Sequence, residues 1–248
     1  MKLDTFNLKK FSKQIILKKV GIDGQRKIFK AKVLIVGVGG LGCPIILYLA
    51  NSGVGNLGII DDDKIDLSNL NRQILFTRND IGKFKVDVAK KKIKEIDKKI
   101  NVKIFKKKIN KSNIKNIFRN YDIICDGTDN FTSRYLINDN CLKMGKILIS
   151  GAVNKFEGHL YKFNFKKKTS CYRCFMPDAP LNNEDGCGAQ GIIPPVAGLI
   201  GSLQAFEVIK AILDTKPDLS SNILIFDGLK NKIRTIKLPI NKQCINKC

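Results

Sequence analysis

Residues 33–42 read Val-Leu-Ile-Val-Gly-Val-Gly-Gly-Leu-Gly. The β-branched apolar residues predict a buried strand, the glycines predict a tight turn, and the apolar residues that follow predict a helix. This order places the free amides and the dipole of a helix N-terminus at the turn, where they favour a phosphate. Gly37, Gly39 and Gly42 match the dinucleotide-binding pattern, and Gly40 lies within it. The stretch therefore predicts a nucleotide site on an α/β fold.

The next predicted strand, residues 57–60, ends at an acid, Asp61. An acid in this place can accept hydrogen bonds from ribose hydroxyls. The alternative interpretation is a glycine-rich turn that binds no ligand, and Asp61 argues against it. Together the glycines and the acid indicate a nucleotide without deciding which one.

The composition sets limits on the class of protein. The chain has 248 residues, 44% of them hydrophobic, which suffices for one large α/β domain or two small ones. We find no apolar run as long as a membrane span and no apolar stretch typical of a signal peptide at the N-terminus. We therefore expect a cytoplasmic protein without membrane contact, whose eight cysteines are reduced thiols or metal ligands.

The formal net charge of +23 raises nucleic acid or an acidic surface as a partner. Most of the basic residues are lysines, spread along the chain in short runs such as 90–92, 106–108 and 166–168. This spread favours solvated faces over a dedicated nucleic-acid site. An acidic protein partner remains compatible with the charge.

Predicted strands and helices alternate from residue 33 to residue 149, which is typical of a doubly wound, Rossmann-like, mostly parallel sheet. Before them we expect a helix with Phe11, Ile15 and Ile16 on one face, broken by Gly21 and Gly24. After residue 151, an alternating strand and a final hairpin predict an antiparallel C-terminal extension. A long helix at about 196–213 lies between them, and we expect one side of it to carry Leu199, Leu203, Phe206 and Ile209.

A polar loop follows Asp61 and contains Asp63, Asn69, Arg72 and Gln73. The guanidinium of Arg72 offers a planar fork for phosphate oxygens. Lys85 adds a cation near the start of the next predicted helix. An exposed polar loop without a ligand is the alternative interpretation.

Asp129 and Asn130 follow the strand predicted at 121–125. Ligands of open parallel sheets bind beyond the carboxyl ends of the strands, so these residues should share an edge with Gly39 and Asp61. A carboxylate there can hold Mg²⁺ between phosphates. A nicotinamide enzyme has no use for a magnesium carboxylate together with a phosphate-binding arginine, whereas a triphosphate needs both. Asn130 could also serve only as a helix cap.

Two pairs of closely spaced cysteines suit a tetrahedral zinc site: Cys171 with Cys174, and Cys244 with Cys248. A redox Cys-x-x-Cys pair is the competing interpretation, and the second pair favours zinc. Such a zinc-binding loop would fasten the C-terminus to the segment after residue 165. A further cysteine, Cys187, is flanked by glycines in a polar stretch, which predicts an accessible thiol.

Nearly the whole chain resembles the ThiF/MoeB group, bacterial relatives of the ubiquitin-activating enzymes. The resemblance rests on several blocks taken together: residues 11–17, the glycine loop, Ser68–Gln73, Asp126–Asn130, Cys171–Cys174 and Gly201–Glu207. It implies ATP-dependent adenylation of the C-terminal glycine of a small β-grasp sulfur-carrier protein, with release of pyrophosphate. Sulfur from a persulfide donor would then displace AMP and leave a thiocarboxylate on the carrier.

The resemblance also implies roles for individual residues. Asp61 matches the ribose ligand, Asp129 matches the magnesium ligand, and the phosphate ligands match Asn69, Arg72 and Lys85. Family members are homodimers in which an N-terminal basic residue reaches the ATP of the partner, and Lys13 stands where arginine is usual. Lysine keeps the charge but loses the fork, so we expect weaker orientation of the phosphates.

Within the group, the blocks around Asp61–Asp63, 73–77 and 225–228 look closer to the thiamin-thiazole branch than to the molybdopterin branch. Cys187 matches the cysteine that can form an acyl-disulfide with the carrier in the thiamin branch. We therefore expect a ThiS-like carrier, with a MoaD-like carrier as the alternative. A nicotinamide oxidoreductase and a zinc-bearing nucleic-acid binder are more distant alternatives.

The expected organisation is one adenylating domain over residues 1–248. It would comprise an N-terminal helical segment at about 1–30, a nucleotide-binding half at about 31–150 and a half for carrier and zinc at about 151–248. ATP, Mg²⁺ and Zn²⁺ are the expected cofactors.

Overall fold

The computed structural model describes residues 3–178, 191–246 and 248. In these residues one eight-stranded sheet has the order β3-β2-β1-β4-β5-β6-β7-β8. The strands are β1 (Lys32–Val36), β2 (Asn56–Ile60), β3 (Asn101–Phe105), β4 (Ile123–Asp126), β5 (Ile147–Asn154), β6 (Glu157–Asn164), β7 (Asn222–Asp227) and β8 (Lys232–Lys237).

The first five strands pair in parallel and the last three join antiparallel, so the predicted fold class is confirmed. β1 lies between β2 and β4, with Val36 in register with both Ile60 and Asp126. The chain therefore leaves the carboxyl end of β1 at the point where the strand order reverses. An open sheet has its ligand crevice at such a switch point.

Helices cover both faces of the sheet, because neither face of the central strands is polar. In β1, Val33 and Ile35 join one apolar cluster and Leu34 and Val36 join another, as the two-residue period of a strand requires. The helices are α1 (Thr5–Lys10), α2 (Ser12–Ile15), α3 (Gly21–Lys30), α4 (Gly42–Asn51), α5 (Lys85–Ile96), α6 (Ile114–Phe118), α7 (Phe131–Lys143), α8 (Tyr172–Phe175) and α9 (Pro194–Leu213).

The N-terminal segment differs from the prediction. It forms three short helices, and Ile16 is exposed after the end of α2 while Phe11 is buried. Gly21 begins α3 with φ of 58°, but Gly24 lies inside that helix and does not break it. Its missing side chain makes room for packing, because a Cβ there would lie 2.9 Å from Leu213 in α9.

The long helix α9 begins at Pro194, two residues before the predicted start. Its buried side presents Ala197, Ile200, Gln204 and Val208, and the residues predicted to share a side lie on its less buried side, where Phe206 is 59% exposed. The helix packs against α4, β5 and β6 through its buried side. With 20 residues and a mean hydropathy of 1.6 it is long and apolar enough to cross a membrane, contrary to the expectation that no such run exists. Its contacts within the fold account for this apolar composition.

Candidate active site

A cavity of about 400 Å³ lies at the carboxyl edge of β1, β2 and β4. Its size suits a nucleotide. Almost all of the nucleotide-site residues predicted from the sequence line it: Gly37, Gly39, Gly40, Asp61, Asp63, Asn69, Arg72, Gln73, Lys85, Asp129 and Asn130. The loops that bear them are far apart in sequence, and the parallel sheet brings them together.

The glycine loop needs its glycines for two different reasons. Gly37 has φ of 90°, and a Cβ there would lie 2.9 Å from the carbonyl oxygen of Gly127. Gly42 does not line the cavity, and its predicted contact with the nucleotide stays a prediction. A Cβ on Gly42 would instead collide with the carbonyl oxygen of Gly37. Gly42 thus allows the close approach of the start of α4 to the glycine turn.

Asp61 connects the glycine loop to the loop after β2. Its carboxylate accepts hydrogen bonds from the amides of Val38 at 2.6 Å and Asp63 at 2.8 Å. Burial raises the pKa of Asp61, and the nearby charge of Lys85 opposes that rise. The carboxylate of Asp61 is therefore held in the cavity wall as a hydrogen-bond acceptor. The sequence predicts such an acceptor for the ribose hydroxyls of a nucleotide.

Two predicted phosphate cations line the cavity and have partners within the protein. Lys85 is 5% exposed, and its Nζ lies 2.7 Å from Oδ2 of Asp63. Arg72 donates from Nη1 to the carbonyl oxygen of Ser68 at 3.0 Å and to Oδ1 of Asn71 at 3.1 Å. These bonds orient both cations. The role of Asp63 in this structure is to hold Lys85.

Asn69 and Gln73 differ in how their polar atoms are used. The side chain of Asn69 accepts a hydrogen bond from the amide of Asp66 at 3.2 Å, which closes a short 3-10 helix, Leu67–Asn69. Gln73 is 3% exposed, and its Oε1 has no hydrogen-bond partner in the part of the chain that the structure describes. A buried carbonyl oxygen of this kind calls for a donor. The base and the ribose of a nucleotide both carry donors, so Gln73 fits the predicted ligand.

Asp129 and Asn130 lie at the far side of the cavity, after β4. Asn130 caps α7 as predicted, since its Oδ1 accepts the amide of Ser133 at 2.8 Å. Its Nδ2 lies 3.4 Å from Oδ1 of Asp129, whose side chain is exposed to the cavity. A carboxylate that reaches the cavity fits a Mg²⁺ ion shared with phosphate oxygens, since this hard ion prefers one or two carboxylates plus phosphates.

Sequence reasoning missed three cations of the cavity wall: Lys107, Lys108 and Arg134. The two lysines had been interpreted as part of a solvated run, although their loop follows β3 at the same edge of the sheet as Asp61. Arg134 lies in the first turn of α7, four residues after the cap. Burial lowers the pKa of Arg134, but the charge of Asp126 together with the contributions of Tyr172 and Tyr161 leaves the pKa raised.

The four predicted zinc ligands meet in one cluster: Cys171, Cys174, Cys244 and Cys248. All four sulfurs lie within 4.8 Å of one another. The Sγ atom of Cys244 is 3.7 Å from that of Cys171 and 3.8 Å from that of Cys248. Tetrahedral Zn–S bonds of about 2.3 Å require sulfur separations of about 3.8 Å, so the cluster fits zinc. The wider spacing of the second pair does not prevent Cys248 from joining.

Two predicted residues lie away from the cavity or outside the described part of the chain. Lys13 is exposed on α2 and does not line the cavity of its own chain. Its predicted contact with the ATP of a second copy stays a prediction. Cys187 lies outside the described residues.

The profile of the ThiF family matches residues 11–246, which is most of the chain. The chain belongs to the ThiF family. It is 42% identical over 238 residues to the adenylyltransferase and sulfurtransferase MOCS3 of Culex quinquefasciatus, covering 96% of this chain and 54% of that protein. It is 45% identical over 242 residues to a probable molybdopterin-synthase adenylyltransferase of Porphyra purpurea, covering 96% and 63%.

Solved structures of this ThiF-family fold agree with the architecture. The structure of E. coli MccB with ATP superposes with a TM-score of 0.83 at 25% identity, covering 96% of this chain and 74% of that one. The same enzyme with the peptide MccA-N7isoASN has a TM-score of 0.85 at 23% identity, over 97% and 74%, which bears on the fold alone.

The names of the curated relatives agree with the predicted enzyme class, adenylyltransferase. This ThiF-family chain spans little more than half the length of the MOCS3 relative and less than two thirds of the Porphyra relative. Neither name mentions thiamin, and one mentions molybdopterin. The names therefore favour the molybdopterin branch, which the sequence analysis had held as the alternative.

Proposed function

We propose that this chain uses ATP to adenylate the C-terminal glycine of a small β-grasp sulfur-carrier protein. One observation supports the proposal above all. A single cavity of about 400 Å³ combines the glycine turn, the acid Asp61, the cations Arg72 and Lys85, and the carboxylate of Asp129. A dinucleotide needs the first two features, whereas a triphosphate with a divalent ion uses all of them.

In the proposed reaction an oxygen of the carrier carboxylate forms a bond to the α-phosphorus of ATP. The bond between that phosphorus and the bridging oxygen to the β-phosphate breaks, and pyrophosphate leaves with the electron pair. The product is a carrier acyl-adenylate. The terminal sulfur of a persulfide donor then attacks the acyl carbon and expels AMP, which leaves an acyl disulfide between the carrier and the donor. A second thiol attacks the donor's own sulfur and breaks the sulfur–sulfur bond. The carrier leaves as a thiocarboxylate, and the thiol and the donor are left joined as a disulfide.

The residues of this chain act by fixed charge. Arg72 and Lys85 face the region where negative charge grows on the leaving pyrophosphate, and they stabilise it without reorganisation because their side chains are already oriented. Asp129, with its carboxylate in the cavity, would hold Mg²⁺, which neutralises phosphate charge when bound. Asp61 and Gln73 would fix the nucleoside at the other end.

We propose a carrier of the molybdopterin type rather than the thiamin type, because a close relative is named a probable molybdopterin-synthase adenylyltransferase. The thiamin-type carrier predicted from the sequence lacks such support. The proposal includes a homodimer, with Lys13 reaching the partner's nucleotide, and an accessory role of Cys187 in sulfur transfer. It keeps the single adenylating domain over residues 1–248, with the cysteine cluster holding a structural Zn²⁺.

The decisive experiment mixes the protein with ATP, Mg²⁺ and a carrier, and measures ATP–pyrophosphate exchange and the mass of the carrier. A molybdopterin-type and a thiamin-type carrier are compared, and each is also tested with its terminal glycine removed. We expect exchange and a carrier adenylate with the intact molybdopterin-type carrier and none with the truncated form. Tight binding of NADH without exchange on either carrier would contradict the proposal.

A further inference from the structure

Arg134 is a buried cation in the wall of the cavity that the proposed mechanism does not use. Its side chain is 5% exposed. Its Nη2 donates to the carbonyl oxygen of Thr128 at 3.0 Å and to that of Gly151 at 2.9 Å. Its Nε lies 3.5 Å from Oδ2 of Asp126 and has no hydrogen-bond partner within residues 3–178, 191–246 and 248. One guanidinium thus joins the loop after β4 to the neighbouring strand β5.

The loop that Arg134 holds is the one that bears Asp129. On its other side the carboxylate of Asp126 accepts the amide of Thr128 at 2.9 Å and its Oγ1 at 2.6 Å. Ser150 in β5 donates to the second oxygen of that carboxylate at 2.7 Å. The residue before Asp129 is therefore fixed at its amide, its hydroxyl and its carbonyl.

Asp129 itself has weak support from other side chains. Among the described residues, its carboxylate accepts a hydrogen bond from Nδ2 of Asn130, at a long 3.4 Å. The place of its carboxylate is consequently set by the backbone of the loop, and that backbone is set by Arg134 and Asp126. Because the carbonyl carbon of Thr128 is bonded to the backbone nitrogen of Asp129, a shift of that carbonyl group would also move Asp129.

The guanidinium also contacts the segment that begins at the cysteine cluster. The ring of Tyr172 lies 5.7 Å from the guanidinium carbon of Arg134, within the range of a cation–π contact. The amide of Tyr172 donates to Oδ1 of the buried Asn138 in α7 at 2.9 Å. Cys171 and α8 are therefore anchored on the same helix that bears Arg134.

We propose that Arg134 is a positioning residue that sets the place of the Asp129 carboxylate, and through it the use of Mg²⁺ with the triphosphate. The inference rests on the proposed function, in which Asp129 holds that ion. A lysine could keep the charge opposite Asp126, but it is shorter and has one nitrogen. That nitrogen cannot lie beside the carboxylate, where Nε lies, and also reach the two carbonyl oxygens that Nη2 contacts. Arg134→Lys should therefore loosen the loop while leaving the buried carboxylate paired.

The test measures binding of the non-hydrolysable analogue AMPCPP by calorimetry, once with Mg²⁺ and once with EDTA, and needs no carrier. For Arg134→Lys we expect affinity with Mg²⁺ to fall about tenfold, because small misplacements in a site cost this much or more. Affinity in EDTA should stay within about twofold. The matched control is Arg119→Lys, an exposed arginine at the end of α6, which should change neither value.

A double-mutant cycle with Asp129→Asn separates positioning from a general structural effect. If Arg134 acts through Asp129, the double variant binds Mg²⁺–AMPCPP no more weakly than Asp129→Asn alone. Additive losses, or an equal loss with Mg²⁺ and with EDTA, would overturn the inference. If Arg134→Lys does not fold, Tyr172→Leu replaces it in the cycle, and absence of a magnesium-selective loss there overturns it as well.

The outcome for the wild-type protein distinguishes this inference from the proposed function. Wild-type protein that binds Mg²⁺–AMPCPP together with an unaffected Arg134→Lys variant refutes the inference alone. Wild-type protein that does not bind the analogue refutes both.

Discussion

Lys85→Met is the sharpest single test of the electrostatic argument for catalysis. Methionine keeps most of the apolar stem of lysine and removes the ammonium group with its charge and its hydrogen bond to Asp63. Lys85 is 5% exposed in the cavity wall, so its charge acts where water screens little. Loss of one oriented donor that meets developing charge typically costs about 10²–10³ in kcat, or about 2.7–4 kcal/mol.

The fold should tolerate this change. The partner of Lys85 is Asp63, whose side chain is 64% exposed, so water can solvate the carboxylate that is left behind. We expect a loss of unfolding free energy of no more than about 1 kcal/mol, the range of exposed pairs. The variant should therefore be folded and inactive, which circular dichroism and thermal unfolding can verify.

The same change should alter the pH profile. Burial raises the pKa of Asp61, and the charge of Lys85 opposes the rise. Without that charge the pKa of Asp61 rises further, so the carboxylate becomes protonated at a higher pH. The acid limb of kcat/KM for ATP should move to higher pH in Lys85→Met.

The assay is carrier-dependent ATP–pyrophosphate exchange, with Lys83→Met as the control. Lys83 lies two residues away, pairs with Asp80 at 3.1 Å and does not line the cavity, so its loss should change the rate less than about twofold. An exchange rate within about threefold of wild type for Lys85→Met would refute the reasoning. The reasoning would also be refuted if Lys85→Met lost activity while the acid limb of its kcat/KM profile for ATP stayed at the wild-type pH.

Three further predictions concern the cysteine cluster, a buried ion pair and the glycine loop. Cys171→Ser should abolish the binding of one zinc per chain, measured by elemental analysis, and should lower Tm by about 6–12 °C. The Tm shift follows because a long-range cross-link contributes about 3 kcal/mol of stability, and each kcal/mol shifts Tm by about 2–4 °C in a chain of this length. Asp218 pairs with Lys162, which is 1% exposed, at 3.0 Å; burial alone would raise its pKa, but the hydrogen bonds from its lysine partners lower it. That stabilisation is complete above the ordinary pKa of 3.8 and is lost as pH falls through the lowered value. Asp218→Asn should therefore reduce urea stability at pH 7 by about 1–3 kcal/mol, and by less at pH 2, where part of the stabilisation has already been lost. Gly42→Ala should weaken binding of AMPCPP by at least about tenfold in calorimetry, because its Cβ collides with the carbonyl of Gly37.

The sequence was most informative where one local rule decided the outcome. The alternation around residues 33–149 predicted the parallel sheet, because buried strands and helix-capping residues are local patterns. The glycine loop and Asp61 predicted the switch-point crevice for the same reason. The two closely spaced cysteine pairs predicted that the four thiols lie together, because thiols at that spacing can bind one tetrahedral zinc ion.

The sequence misled where packing overrode local preference. Gly24 was expected to end a helix, but the close approach of Leu213 places it inside α3. The sequence left open which side of α9 is buried, because that helix is apolar all round and periodicity cannot show which side meets α4 and the sheet. The glycine pattern places Gly42 in the nucleotide loop, and only the structure shows that it also allows the contact between α4 and the turn.

The sequence by itself determined the fold class, the place of the nucleotide crevice and the chemical types of most residues in it. Tertiary structure alone decided which charges face that crevice. Lys107 and Lys108 line the crevice because β3 ends beside β2. Arg134 lines it because its guanidinium is held there by the carbonyl oxygens of Thr128 and Gly151 and by the buried carboxylate of Asp126. Such placements depend on contacts between segments distant in the chain, and no local pattern encodes them.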